Sequence, residues 1–593
     1  PVPNVCSEEP LYFRRNNGVC KFFYASDHIE FCGEGGVAEF DTYFNSFSLE
    51  KWMKYTIIDN VSLSLDLQGK FLVTIVRKYR SGRGREVLTE VLAETIVEEW
   101  QRTSVKIPIN FKHTTGLISF RIMSLNSSGM YFGGFYLTEI ETKKIREVKI
   151  GINICTYKRE KFVINNLQKL RESFFANPQS EMNNHCEVFV TDNAKTLDCK
   201  ELENEKIHIF PNKNVGGSGG FTRGLIEIAK RKESDKFTHA LFMDDDIVLD
   251  PEVVLRTYSI LTLVNAKYAE AFIGGSMLRL DNQYLCHESG GYWDRGAIKS
   301  LKKGLDLRDA EACIYNEYEE ATNYNAWWYC AVPLSKVSES NLPLPIFIKA
   351  DDVEYGLRNM RYLILMNGIC VWHEPFENKY SSMQWYYILR NQCIVNSIYS
   401  LFKKKQFYKE FENTVLREIF WYRYKNAELI MRGVNDFLKG IDWLKVQDGE
   451  ALNKEIINSG YKMQSIDELS VPFSYPEYER MSNVHDKNQI CRFFRRLSFN
   501  GLFMKPRKKY SYASATNTRS LQCYRAKKVL NYDEISHTGF VTEKNFEKSI
   551  SLLLQYFRLK CKFKRKARKI MKGYKNRFGE ITNLTFWNNY LNI

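Results

Sequence analysis

The chain has 593 residues, of which 44% are hydrophobic, 26% charged and 14% aromatic. That length exceeds one ordinary core and predicts roughly two to four domains, while the apolar, ring-rich composition excludes a largely disordered chain. The net charge of +15 gathers in "CRFFRRLSFNGLFMKPRKKY" and "RLKCKFKRKARKIMKGYK", near the C-terminal end, and points to an anionic partner there.

No run of about 18 uncharged apolar residues occurs, and "PVPNVCSEEPLYFRRNN" lacks the apolar centre of a signal peptide. The expectation is a cytoplasmic protein that does not span a membrane. The 14 cysteines contain no CxxC pair and read as reduced thiols.

Up to about residue 145 the chain is a series of β-rich runs, which predicts an antiparallel β-sandwich over residues 1–145. In "VSLSLDLQGKFLVTIVRKY" two alternating stretches bracket a Gln-Gly pair that reads as a turn. From "EVKIGINICTYKRE" onward strands and helices alternate: a buried strand over 148–155, the helix "KFVINNLQKLRESFF", the strands "CEVFVTD" and "KIHIF", a glycine-rich entry into a helix at "NVGGSGGFTRGLIEIAKRK", and a fourth strand "THALFMD". That order predicts an α/β domain over 146–384 with a mostly parallel, Rossmann-like sheet. Beyond it "WYYILRNQCIVNSIYSLF" and "EKSISLLLQYFRLKCKF" have helical spacing and predict a mainly helical region over 385–593. "KPRKKYSYASATNTRS" reads as a loop or linker.

The candidate chemistry starts at "LFMDDDIVLDPEVV", where Asp244, Asp245 and Asp246 follow a buried strand. Open parallel sheets bind ligands beyond the carboxyl ends of their strands. Residues one apart in extended chain point oppositely, so Asp244 and Asp246 share a face and, with a third ligand from elsewhere, could hold a hard cation such as Mn²⁺ or Mg²⁺, whereas an isolated acidic run is more readily a solvated turn. Asp250, Pro251 and Glu252 read as the cap and first turn of the next helix.

The motifs "TYKR", "TDNA", "NVGGSGGFTRG", "FMDDD", "NAWWYC", "IKADDVEYGLR" and "VWHEPF" follow one another between about residues 150 and 395. In this the chain resembles inverting nucleotide-sugar glycosyltransferases of the GT-A fold, and more narrowly the mycobacterial polymerising galactofuranosyltransferases, which are similar also in having an N-terminal β-sandwich and a C-terminal α-helical region. The resemblance implies that Asp244, Asp246 and His373 hold Mn²⁺ or Mg²⁺, that Thr156, Arg159, Asp192, Asn214, Gly217 and Asp245 bind the nucleotide, and that the glycines let a backbone approach it closely. It further implies that Asp352 is the general base, that Asp351 orients the acceptor, and that Trp327, Trp328, Glu354, His287, Glu288 and Trp293 meet the donor or acceptor sugar.

The implied function is transfer of galactofuranose from UDP-galactofuranose to a growing bacterial surface glycan on a lipid carrier. The enzyme would sit peripherally on the inner face of the plasma membrane, its basic segments against anionic lipid. A homo-oligomer is left open. Alternatives are a transferase for another hexose and a non-catalytic glycan-binding protein. Nucleic-acid binding finds no support in the motifs.

Overall fold

A computed structural model describes residues 2–16, 18–81, 86–484 and 489–593, apart from the side chain of Cys491. The architecture is mixed α/β. Three long antiparallel strands dominate the N-terminal part: β1 (Val61–Arg80), β2 (Val87–Ile109) and β3 (Leu117–Leu137). β1 lies between the other two, and the outer edge of β3 takes two short strands, Val37–Glu39 and His28–Phe31.

The expected Gln-Gly turn is absent, because Gln68 and Gly69 lie inside continuous β1. Both neighbouring strands pair across this point, and the ladder absorbs it as register shifts at Leu67, Gly69 and Phe71, with Gly69 at φ +128° opposite Gly129. The irregularity bends the sheet. Phe120 and Tyr131, on the same strand, have ring centroids 6.3 Å apart, whereas eleven residues of straight strand would span ~36 Å. The two layers expected of a sandwich are therefore halves of one hydrogen-bonded sheet folded over a shared aromatic core.

An eight-stranded sheet follows. Its strands are β4 (Ile150–Thr156), β5 (Cys186–Asp192), β6 (Ile207–Pro211), β7 (His239–Asp244), β8 (Phe272–Arg279), β9 (Cys286–Glu288), β10 (Tyr329–Pro333) and β11 (Leu363–His373). The order is β6-β5-β4-β7-β10-β8-β9, with β11 on β8. β4 to β7 are mutually parallel, β10 runs against both its neighbours, and β8 and β11 run with β7. Helices α1 (Glu160–Leu170), α2 (Gly216–Lys230) and α3 (Glu252–Leu263) connect the parallel strands, and α4 (Asp351–Asn359) precedes β11. Asp250 Oδ1 accepts the Glu252 N–H at 3.0 Å, so it caps α3 as its sequence context predicts.

The C-terminal part holds α5 (Gln384–Ile398), α6 (Lys404–Phe420), α7 (Tyr424–Phe437), α8 (Gln489–Leu497) and the 32-residue α9 (Phe546–Arg577). It also holds a four-stranded sheet built on β12 (Lys508–Ser514), β13 (Ala526–Asp533) and β14 (Thr538–Glu543), so it is less helical than its periodicity predicts. The stretch read as a linker contains β12, whose Tyr512 and Ala513 are buried. Its lysines and serines masked a strand that parallel pairing with β13 stabilises. The described cysteines are free thiols, most of them buried.

The glycines at the start of α2 do a different job from the one expected of them. A Cβ on Gly216, at φ +71°, would lie 2.2 Å from Phe347 O; on Gly219, 2.3 Å from Val215; on Gly220, 2.1 Å from Cys155 Sγ; on Gly224, 2.0 Å from Asn153. These positions admit other parts of the protein. At Gly217 alone in this run is the space open, with Asp351 Oδ2 at 3.7 Å. Gly216→Ala combines a left-handed backbone with a backbone collision and should lower stability by about 2 kcal/mol or more, whereas Gly217→Ala should stay within about 0.5 kcal/mol of wild type. Denaturant melts of the two variants check this, and equal loss in both would contradict the packing described.

Candidate active site

The register of the parallel strands brings the candidate residues together. Asp244 pairs with Cys155, and Thr156 with Asp192, so β4, β5 and β7 end at one level. His373, the last residue of β11, ends a strand that runs the same way. Two contacts then fold the acidic turn toward it: Val248 and Trp372 exchange backbone hydrogen bonds of 2.7 and 3.2 Å, and Asn166 Nδ2 donates to the carbonyls of Asp245 and Ile247 at 3.2 and 3.0 Å. As a result one ligand atom each of Asp244, Asp246 and His373 lie within 4.8 Å of one another.

Asp246 is the electrostatic centre. Its Oδ1 meets His373 Nε2 at 3.0 Å, and its Oδ2 meets Lys379 Nζ at 3.2 Å and the Arg159 guanidinium. Burial opposes its charge, but His373, Arg159 and Lys379 outweigh burial and hold its carboxyl well below the usual range. Burial likewise opposes a charged His373, and Asp246 and Asp244 reverse the balance, so its pKa is raised. For Asp244 burial outweighs the opposing His373 and pushes it up to about 7, with Asp246 and Asp245 adding to the rise. Burial and Asp246 push Asp245 up to about 6. The set of two carboxylates and one imidazole, with the His373 Nδ1 buried and unpartnered among the described residues, suits a hard-to-borderline divalent ion.

A second carboxylate pair arrives on an unusual loop. Phe347, Lys349 and Ala350 have φ of +75°, +67° and +68°, a left-handed conformation that costs a non-glycine residue about 1–2 kcal/mol each. Asp351 and Asp352 follow at once as the first residues of α4. Asp352 Oδ1 accepts from its neighbour Val353 N–H at 2.8 Å, which is not the N2 or N3 bond of a conventional helix cap. Both keep some exposed surface yet lie deep among protein atoms. Burial, with Asp352 adding, pushes Asp351 up to about 8, and burial pushes Asp352 up to about 6. Burial pushes Glu288 up to about 7, with Asp352 contributing. Lys349, over the ring of Phe376, is the cation that offsets Asp352.

The remaining candidates divide. Arg159 joins the cluster, and Thr156 is buried at the end of β4. Asp192 spends both oxygens on its own loop, accepting from Ala194, Thr196 and Leu197 N–H at 2.9, 2.6 and 2.8 Å. Asn214 Oδ1 caps Gly216 N–H at 3.1 Å. Glu354 turns away, bound by Arg358 at 2.8 Å and Tyr399 at 2.7 Å. Trp327 stacks on Phe242 at 4.5 Å and is enclosed by Phe221 and Tyr355, which leaves no free face for a sugar. Trp328 donates its indole N–H to Gly275 O at 3.1 Å and lies 6.4 Å from Phe376, whose ring is 5.4 Å from His373. Trp293 donates to Asn396 at 2.9 Å, and His287 is buried, its pKa pushed down to about 4 by burial. Lys349 and Lys379 are the charged groups that motif reading left without a role. The first sits inside "IKADD" and the second six residues after His373, in "ENKY".

Comparison with known proteins finds relatives in the family that the motifs resemble. A family model described as Galactofuranosyltransferase 2 N-terminal matches residues 12–136. The curated protein Galactofuranosyltransferase GlfT2 of Mycobacterium tuberculosis (strain ATCC 25618 / H37Rv) is 26% identical over 436 residues, 69% of this chain and 66% of the relative. Its namesake from Mycolicibacterium smegmatis (strain ATCC 700084 / mc(2)155) is 24% identical over 69% of this chain and 65% of the relative, so the match spans just under two thirds of either. Among solved structures, mannosyl-3-phosphoglycerate synthase from Rubrobacter xylanophilus aligns at 10% identity over 43% of this chain and 77% of that one. Its TM-score of 0.27 is too low to bear on the fold. By sequence the chain is a relative of the mycobacterial proteins named galactofuranosyltransferases.

Proposed function

We propose that the protein is a GT-A-type, metal-dependent inverting glycosyltransferase that moves galactofuranose from UDP-galactofuranose onto a growing, lipid-linked bacterial glycan. The observation that carries this reading is the meeting, at one sheet edge, of an Asp-Asp-His cluster, in which cations hold Asp246 charged, and a second carboxylate pair, Asp351 and Asp352, with raised proton affinity. Binding alone has no use for both. In this reading residues 1–145 form the sandwich domain, 146–384 the catalytic domain and 385–593 the C-terminal domain.

Asp244, Asp246 and His373 would hold Mn²⁺ or Mg²⁺, which offsets negative charge on the UDP leaving group when bound. Arg159 and Lys379, already beside Asp246, add positive charge where phosphate oxygens come. Asp352 accepts the proton of the acceptor hydroxyl as that oxygen attacks the anomeric carbon, and Asp351 holds the hydroxyl in line. The division of work rests on Asp246, whose surroundings hold it charged, and Asp352, whose surroundings raise its proton affinity.

The basic segments differ in what they can do at a membrane. In α9 the residues Leu552, Tyr556, Leu559, Phe563 and Ala567 form a buried stripe, and Lys548 and Lys560 pair with Glu428 and Glu412. Much of that helix is therefore core. In 491–509 several apolar side chains face outward, with Phe493, Phe494, Leu497 and Phe503 being 61%, 60%, 64% and 59% exposed among Arg and Lys, while Leu502 is buried. This segment is the proposed contact with an anionic bilayer. No helix among the described residues is long and apolar enough to cross one.

Three outcomes test the reading. Asp352→Asn should keep donor affinity and melting temperature but lower turnover by roughly a hundredfold or more, and the wild-type rate should fall as pH drops below about 6, where Asp352 takes up a proton. Rates near wild type in the variant would sink the base assignment. For the metal, Asp244, Asp351 and Glu288 have raised folded pKa values, so the stability they allow is full at pH 4 and is lost as pH rises through 7 to 8. Mn²⁺ should therefore raise the melting temperature far more at pH 8 than at pH 5.5, and an equal Mn²⁺ response in Asp246→Ala would refute the site. For the membrane, vesicles rich in phosphatidylglycerol should sediment the wild type, while replacing Phe493, Phe494 and Leu497 by Ser should leave the protein in solution. Equal sedimentation would exclude this surface.

A further inference from the structure

The loop that delivers Asp351 and Asp352 has almost no regular hydrogen bonding of its own, and its carbonyls are taken up from outside. On one side Ser218, at the start of α2, donates its N–H to Phe347 O at 3.0 Å and its hydroxyl to Leu344 O. On the other side α5 supplies two side chains. Asn391 Nδ2 lies 3.1, 2.7 and 2.9 Å from the carbonyls of Ile346, Ile348 and Lys349, so its two hydrogens are shared among three acceptors, and Arg390 Nη2 donates to Ile346 O at 2.6 Å. Arg390 Nε also donates to Asn391 Oδ1 at 2.9 Å, which fixes which end of the amide faces the loop.

Both side chains are buried, Asn391 completely, in a helix whose Gln392, Asn396 and Ser397 are buried as well. Among the described residues Arg390 has no carboxylate partner; it lies over the rings of Tyr386 and Tyr387 at 5.1 and 4.9 Å and meets the Tyr386 hydroxyl at 3.4 Å. A buried guanidinium and a buried amide without acidic partners are costly unless the groups they meet require them. Here those groups are the carbonyls of a loop with left-handed Phe347, Lys349 and Ala350, a conformation that persists only where neighbours over-determine it.

We propose that Asn391, oriented by Arg390, is the positioning residue of the reaction: it holds the left-handed 346–350 loop in the one conformation that places the Asp352 carboxylate against the acceptor hydroxyl. This rests on the reading of Asp352 as base. Asn391 touches neither donor nor acceptor; it acts through the loop. The glycine-rich start of α2 closes the clamp from the opposite side, which is why Gly216 must lack a side chain facing Phe347 O.

The test is a double-mutant cycle read by single-turnover transfer from UDP-galactofuranose, with UDP–Mn²⁺ affinity and melting temperature measured alongside. Asn391→Ala should lower the rate between about tenfold and a hundredfold, change UDP–Mn²⁺ affinity less than about twofold, and cost less than about twofold when introduced into Asp352→Asn, because the group it positions is already disabled. Asn391→Ser, which keeps one donor, folds more readily and should fall between wild type and Ala; it takes the place of Ala in the cycle if Ala does not fold. An equal rate loss in both backgrounds would reduce Asn391 to a structural residue and overturn the proposal, as would a wild-type rate in both Asn391 variants while Asp352→Asn is impaired. A wild-type rate in Asp352→Asn itself would instead remove the base reading, and this inference with it.

Discussion

The constraint on which the rest of this structure depends is the crowding of carboxylates at one edge of the central sheet. Asp244, Asp245, Asp246, Asp351, Asp352 and Glu288 act on one another there. Asp246 alone has enough cations to stay charged easily, and the proton affinities of the other five are raised, chiefly by burial. Like charges in a poorly solvated place drive apart the segments that carry them. The contacts that hold those segments are therefore as much a part of the site as the carboxylates. Asn166 pins the turn after β7, the Val248–Trp372 bridge ties that turn to β11, and Ser218, Arg390 and Asn391 grip the loop before α4.

The N-terminal sheet belongs to the same mechanical system. Its core cluster continues into the central sheet through Leu278, Cys286, Cys370 and Trp372. Trp372 immediately precedes His373, is fully buried, packs 5.9 Å from Phe44 and donates its indole N–H to Gln283 O at 2.9 Å. Large aromatic side chains in a close-packed interior have few places to go. A displacement of the N-terminal sheet would therefore be felt at His373. This gives the sheet a supporting role that a freely hinged glycan-binding module would not have.

What could be read from the sequence follows the range of the forces involved. The buried strands 150–156 and 239–244, the acidic run at a strand end, and the helix after Asp250 are local patterns, and local patterns survive into the structure. Partners distant along the chain were not legible. Gln68-Gly69 has the composition of a turn, but pairing on both sides of β1 makes it a bulge. The glycines of "NVGGSGG" looked like room for a ligand, and most of that room is filled by Phe347, Val215, Cys155 and Asn153. Asp192, Glu354 and Trp327 stand in motifs yet spend their polar atoms or faces on the protein itself. Conversely Arg390 and Asn391 were hidden in a run whose helical spacing explained it well enough. The legible signal was the polar triplet Arg390, Asn391 and Gln392 inside the largely apolar "WYYILRNQCIVN", a placement that calls for something buried to need it.

In the proposed reading one fold edge must keep Asp246 ionised for a cation and Asp352 able to take a proton, and the means of separation is positional. Asp246 lies where three different elements each present a cation: Arg159 at the start of α1, His373 at the end of β11 and Lys379 beyond it. Asp351 and Asp352 instead stand at the first turn of α4, where free backbone N–H groups favour negative charge, and next to Lys349. Those two influences keep Asp352 at about 6 against burial, while Asp351, which also feels the charge of Asp352, rises to about 8. The lower member of the pair is thus ionised at neutral pH with a proton affinity well above an ordinary aspartate, the condition a general base requires. That difference exists only while the left-handed loop keeps Lys349 and the α4 terminus where they are, so the proton chemistry of Asp352 and the backbone strain before it are one arrangement.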